Sequence, residues 1–109
     1  MLLSGLYGFY SALLTERQRE IFELYYQNDL SFSEIAENTG VSRPAVCDAL
    51  MRVEKKMRDY EDKLNLYGKF NNSMKTVEKI DDFLENAVKS GKISLNEKDF
   101  IDKAIEEIL

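Results

Sequence analysis

Phe32-Ser33-Glu34-Ile35-Ala36-Glu37-Asn38-Thr39-Gly40-Val41-Ser42-Arg43-Pro44-Ala45-Val46 is the stretch that decides the fold. Two helices joined by a three-residue turn need particular side chains at fixed offsets. Ile35 and Val46 have the size to fill the wedge between such helices, and Ala36 is small where they approach closely. Gly40 supplies the left-handed backbone that ends the first helix. Val41 plugs the underside of the turn, and Ser42 caps the helix that follows. Pro44 falls in that helix's first turn, where its missing N–H has no intrahelical partner anyway. The spacing predicts a helix-turn-helix from about Ser31 to Met57, with Leu50 and Val53 continuing its inner face.

Upstream, Leu2, Leu3, Leu6, Phe9, Tyr10 and Leu13 recur at helical spacing and predict a first helix over residues 2–13. Thr15 with Gln18 three residues on forms a capping-box pattern. It opens a second helix from Glu16 to about Gln27, with Ile21, Phe22, Leu24 and Tyr25 inward, and Asn28-Asp29 ends it with turn chemistry. Ser31 or Ser33 caps the third helix, which ends near Thr39. Downstream, Val46, Leu50, Val53, Met57, Tyr60, Leu64 and Tyr67 follow strict 4-3 spacing, a coiled-coil-like seam. It predicts one long fourth helix ending at Gly68 or Asn71-Asn72. A fifth helix carries Met74, Val77, Ile80, Phe83, Leu84, Ala87 and Val88, and Ser90-Gly91 closes it. Ser94 with Glu97 caps a sixth. The expectation is an all-α chain, 1–109 as one domain. Residues 1–67 form the helix-turn-helix core with its long recognition helix, and 68–109 a C-terminal helical extension.

Charge is distributed unevenly. The whole chain carries −5, which argues against nonspecific coating of nucleic acid. Residues 1–14 carry none, residues 15–41 carry −4, and residues 42–58 carry +3. The one basic block coincides with the start of the fourth helix. In a helix-turn-helix that start enters the major groove. Ser42, Arg43, Ala45, Cys47 and Asp48 are therefore the outward candidates for reading DNA, Arg43 foremost because a guanidinium matches a guanine edge. Arg52, Lys55 and Lys56, with Arg58, are candidates for phosphate contacts. Arg52 has a competing assignment, an ion pair with Glu34 bracing the two helices. Asp48 is unfavourable beside phosphate. The seam at Val53, Met57, Tyr60, Leu64 and Tyr67 needs a cover, supplied by the first and fifth helices or by a second copy. A homodimer is expected, and it would suit paired half-sites.

No enzymatic constellation stands out. The sequence has no histidine, and Cys47 is its one cysteine, so no intrachain disulfide forms and no activated nucleophile or thiol metal set is expected. The pairs Glu61-Asp62 and Asp81-Asp82 read as solvated surface, because adjacent helical residues do not face each other. The tyrosines and phenylalanines recur at core spacing and read as packing. The apolar opening segment lacks a basic start and a cleavage site and is too short to span a bilayer. A soluble cytoplasmic protein is expected, with no cofactor, no metal and no small-molecule substrate.

Leu14-Thr15-Glu16-Arg17-Gln18, followed by Glu34-Ile35-Ala36 and Gly40-Val41-Ser42, resembles the promoter-reading C-terminal domain of bacterial sigma factors over residues 13–58. That likeness implies a three-helical core of the sigma region 4 or winged-helix kind. Phe9-Tyr10, Leu13-Leu14-Thr15, Leu24-Tyr25-Tyr26, Gly40 to Val46 and the Tyr60-Glu61…Lys63-Leu64…Tyr67 run resemble more closely the YlxM family of small bacterial proteins. This second resemblance extends to about Phe70, with Pro44 and Cys47 standing where glutamine and tyrosine are usual. It implies a DNA-binding or regulatory role and, through gene neighbourhood, a connection with the signal recognition particle pathway. Beside that stands a second expectation, a protein or ribonucleoprotein adaptor that keeps the fold without reading DNA.

Overall fold

Capping chemistry sets the boundaries of the helices. The computed structural model describes residues 2–109, and among them the regular structure is entirely helical. Helix α1 spans Leu2–Tyr10 and tightens into a 3₁₀ turn at Ser11–Leu13. Thr15 then opens α2, Glu16–Tyr26, with a reciprocal capping box: its side chain accepts from the Gln18 N–H while Gln18 accepts from the Thr15 N–H. Asp29, at φ 56°, turns the chain toward α3, Phe32–Thr39. Ser31 and Glu34 form a second box there. Gly40 adopts the left-handed conformation (φ 76°) that stops α3, and its N–H donates to the Ala36 carbonyl. Ser42 caps α4, Arg43–Leu64, by accepting from the Ala45 N–H at 3.2 Å. Helix α5 spans Leu66–Lys89, and Ser94 with Glu97 opens α6, Leu95–Ile108.

The fourth helix is shorter than its seam predicts. It stops at Leu64, because Asn65 takes the left-handed conformation (φ 52°, ψ 34°) and breaks the ladder. Asparagine is among the few residues other than glycine that adopt that conformation readily. The helix that resumes at Leu66 gains its first-turn acceptor from the helix before it. The Glu61 carboxylate accepts from the Tyr67 N–H (3.1 Å) and the Gly68 N–H (3.0 Å), and the Leu66 N–H donates to the Tyr10 hydroxyl (3.1 Å). Expected as solvated surface, Glu61 is half-buried instead and also accepts from Tyr10 at 2.5 Å. Burial pushes its carboxyl up, but these hydrogen bonds outweigh that and hold it below the ordinary value.

Contacts divide the chain into two compact units, Met1–Gly68 and Lys69–Leu109. In the first, two clusters form the core. Ile21, Ile35, Val46 and Leu50 meet beneath the helix-turn-helix, with Val41 and Ala36 packed against them. Leu3, Leu6, Tyr7, Tyr10, Leu14 and Phe22 surround Val53 and Met57. The upper seam is therefore covered by α1 and α2 of the same chain, and Val53 and Met57 offer no surface to a second copy. Burying each contributes about 1.5–3 kcal/mol. Tyr60 and Tyr67 pack half-buried on the same cluster, while Leu64 is 44% exposed. A Cβ on Gly5 would meet the Tyr67 ring at 2.2 Å, so glycine lets that ring lie on α1.

Three tyrosine hydroxyls in this unit end on carboxylates. Tyr7 donates to Glu23 at 2.7 Å, Tyr26 to Glu54, and Tyr10 to Glu61. Burial, then the carboxylate partner, pushes Tyr7 and Tyr26 each up to about 12. In the second unit α5 and α6 form a hairpin. Lys98 donates to Asp81 (2.9 Å) and Asp102 (2.8 Å), which raises its pKa through those two hydrogen bonds. Asp81 is thus half-buried and paired rather than solvated.

Candidate nucleic-acid interface

The first turn of α4 is fixed from three sides. Ser42 terminates it, Pro44 sits at its second position, and Val46 and Leu50 anchor its inner face in the core. Thr39, polar for a half-buried site, is satisfied by donating to the Ile35 carbonyl at 2.7 Å. What remains outward is then determined by helical spacing. Ser42, Arg43, Ala45 and Asp48 are exposed, and Cys47 is half-buried. Arg43 has no ion-pair partner among the described residues.

Of the other four cations of the basic block three are less free than their count implies, while Arg58 is exposed and has no ion pair among the described residues. Arg52 pairs with Asp48, Nε to Oδ2 at 3.0 Å, one turn back on the same helix. The expected brace between Arg52 and Glu34 is not made. Glu34 is occupied by its own capping box, accepting from the Ser31 N–H at 3.1 Å. Lys55 pairs with Asp59 at 2.8 Å, and that hydrogen bond raises its pKa. Lys56 is half-buried and turns toward α2, donating to Gln18 at 3.4 Å, so it leaves the outward face. Exposed i,i+4 pairs are worth about 0.3–0.5 kcal/mol, so a phosphate displaces such a carboxylate at little cost.

One cation beside the turn lay outside the sequence candidates. Arg17, on the first turn of α2, donates to the Thr39 carbonyl at 3.4 Å and approaches Glu20 at 3.8 Å. It sits in a stretch of net −4, so no count of basic blocks could single it out. In the second unit, carboxylate oxygens of Asp81, Asp82 and Glu85 lie within 4.8 Å of one another, with Asp81 already held by Lys98.

Capped α3, a glycine-ended turn and a serine-capped α4 resting on Ile35 and Val46 define a helix-turn-helix protein. Among the described residues no helix is long and apolar enough to cross a membrane. The chain belongs to the UPF0122 family, described as "Putative helix-turn-helix protein, YlxM / p13 like", which it matches over residues 1–97. It is 51% identical over 80 residues to a UPF0122 protein of Caldanaerobacter subterraneus, covering 73% of this chain and 68% of that one. UPF0122 proteins of Streptococcus gordonii and Streptococcus pneumoniae are 50% identical over 68 residues, with 62% of each chain covered. The chain thus aligns to less than two thirds of the streptococcal proteins.

Proposed function

We propose that this protein is a DNA-binding regulator, not an enzyme, and that the first turn of α4 enters the major groove. Arg43 carries the reading: it is exposed, unpaired among the described residues, and stands on the first turn of the second helix of an intact helix-turn-helix. A bidentate arginine contact with guanine is worth about 1–3 kcal/mol of discrimination. Ser42, Ala45, Cys47 and Asp48 surround it on the reading surface. Arg52 and Lys55 exchange their carboxylate partners for phosphates, and Arg17 adds a phosphate contact beside the turn. A dimer would set two such helices on paired half-sites. The YlxM resemblance supplies the context, regulation connected with the signal recognition particle pathway.

The test is selection of duplexes from a random-sequence pool, with Arg43→Ala as control. A shared motif that the variant loses or relaxes supports the proposal. Equal, weak binding by both proteins with no enrichment overturns it. One observation favours a second reading, an adaptor for protein or ribonucleoprotein partners. The Arg52–Asp48 and Lys55–Asp59 pairs leave the outward face of α4 little net positive charge. Failure of the selection would move the search to partners of that face.

A further inference from the structure

Met51, in the third turn of α4, is 65% exposed and belongs to neither core cluster. Val46, Leu50, Val53 and Met57 are the buried residues of that helix and define its inward direction. At 3.6 residues per turn, Met51 stands about 130° round the axis from their mean direction. It also continues a line that begins at the turn. Arg43, Cys47 and Met51 follow one another at four-residue steps, so they form one ridge of α4. Arg43 heads the ridge, Cys47 is half-buried along it, and Met51 is its far end. The residues around Met51 on the outward surface are charged: Asp48 one turn before it, Arg52 beside it and Lys55 one turn after.

We infer that Met51 is a specificity-determining residue that meets the methyl group of a thymine in the major groove. The inference rests on the proposed DNA reading, which lays this ridge in the groove. There the thymine C5 methyl is the one apolar group that the base edges present, and an apolar side chain is its match. The unbranched thioether of methionine adapts its shape to such a contact. A protein partner fits the surroundings less well. A stable interface covers about 800 Å² on each partner, whereas Met51 stands alone among charges. The other exposed large apolar side chain of α4, Leu64, lies thirteen residues on, about 20 Å along the axis. Spacing then places the thymine. Eight residues separate Arg43 from Met51, about 12 Å of helix. Base pairs are about 3.4 Å apart, so the thymine lies about three to four base pairs from the guanine that Arg43 reads. Both bases fall within one half-site.

Competition binding of the full chain to its selected duplex tests this, with each thymine replaced in turn by deoxyuridine, which lacks only the methyl. One replacement per half-site should weaken binding about fourfold, the worth of one buried methyl group. It should lie about three to four base pairs from the position that Arg43→Ala relaxes. Met51→Ala should bind the thymine and deoxyuridine duplexes equally, while Met51→Leu, apolar and of similar volume, should keep the discrimination. Because Met51 is mostly exposed, both variants should unfold at the urea midpoint of the parent, which separates lost reading from lost folding. A motif that depends on Arg43 but holds no thymine of this kind would overturn the inference and leave the reading through Arg43 standing. So would a thymine methyl that Met51→Ala senses as strongly as the parent does. Failure to select any motif would overturn both, and the ridge would then pass to a protein partner.

Discussion

Glu61 links three helices of this fold, α1, α4 and α5. One carboxylate accepts from the Tyr10 hydroxyl of α1 and from the Tyr67 and Gly68 N–H groups at the start of α5. Replacing it by alanine orphans three donors, two of them on backbone that has no intrahelical partner. The expected loss is about 2–3 kcal/mol, read as a lowered urea midpoint. The pH dependence follows from the sign of its shift. A carboxyl held below its ordinary value in the folded state stabilises only while ionised. Its contribution is complete above the unfolded value of about 4.3 and is lost as pH falls through the lower, folded one. Acid titration should therefore show a larger stability loss below about pH 4–5 in the wild-type protein than in Glu61→Ala, where the capping Glu97, also held below its ordinary value, still contributes. Parallel acid profiles for the two proteins would refute the assignment.

At the scale of elements, the break at Asn65 is the feature that most alters the architecture. Asn65 holds the left-handed conformation, and its side-chain oxygen lies 2.2 Å from where a Cβ on Gly68 would sit. The two residues are therefore coupled. Gly68→Ala alone should destabilise, since the Asn65 carboxamide must leave its place. Asn65→Gly keeps the left-handed turn and removes the obstacle. In that background Gly68→Ala should become neutral or stabilising, because alanine suits a helix better by up to about 1 kcal/mol. A double-mutant cycle by chemical denaturation should give a coupling energy of about 1 kcal/mol, and additivity within about 0.3 kcal/mol would contradict it.

The same break marks where the sequence stops being legible. Caps could be read directly: Thr15 with Gln18, Ser42 before Pro44 and Ser94 with Glu97 act through contacts of three residues, within the reach of a pattern. The wedge of Ile35 and Val46 was legible for the same reason. The seam, by contrast, continues its 4-3 spacing straight through Asn65, because Tyr67 packs on the same cluster from the next helix. Hydrophobic period records which residues face the core and not whether one helix carries them all. Arg52 meets Asp48 rather than Glu34, because Glu34 has a nearer use in its own cap. Glu61 gave no local signal, since its donors lie on α1 and α5.

At the scale of the whole molecule, the proposed DNA binding has to be reconciled with a net charge of −5. The outward face of α4 holds Arg52 and Lys55, each engaged by an aspartate one turn away. Asp48 and Asp59 lower the field that a phosphate backbone would meet. The proposed reading through Arg43 would survive this, because base contacts act at short range, whereas attraction to any duplex would be suppressed. Converting Asp48 and Asp59 to asparagine should release that restraint. Overall affinity for random duplex should rise, most at low salt, because two negative charges that face the phosphates and compete for Arg52 and Lys55 are removed. The preference for a selected site over random duplex should fall, since the gain is sequence-independent. An unchanged affinity for random duplex in the double variant at low salt, with both proteins folded, would mean that this face does not meet phosphate at all, and the outward surface of α4 would then belong to a protein partner.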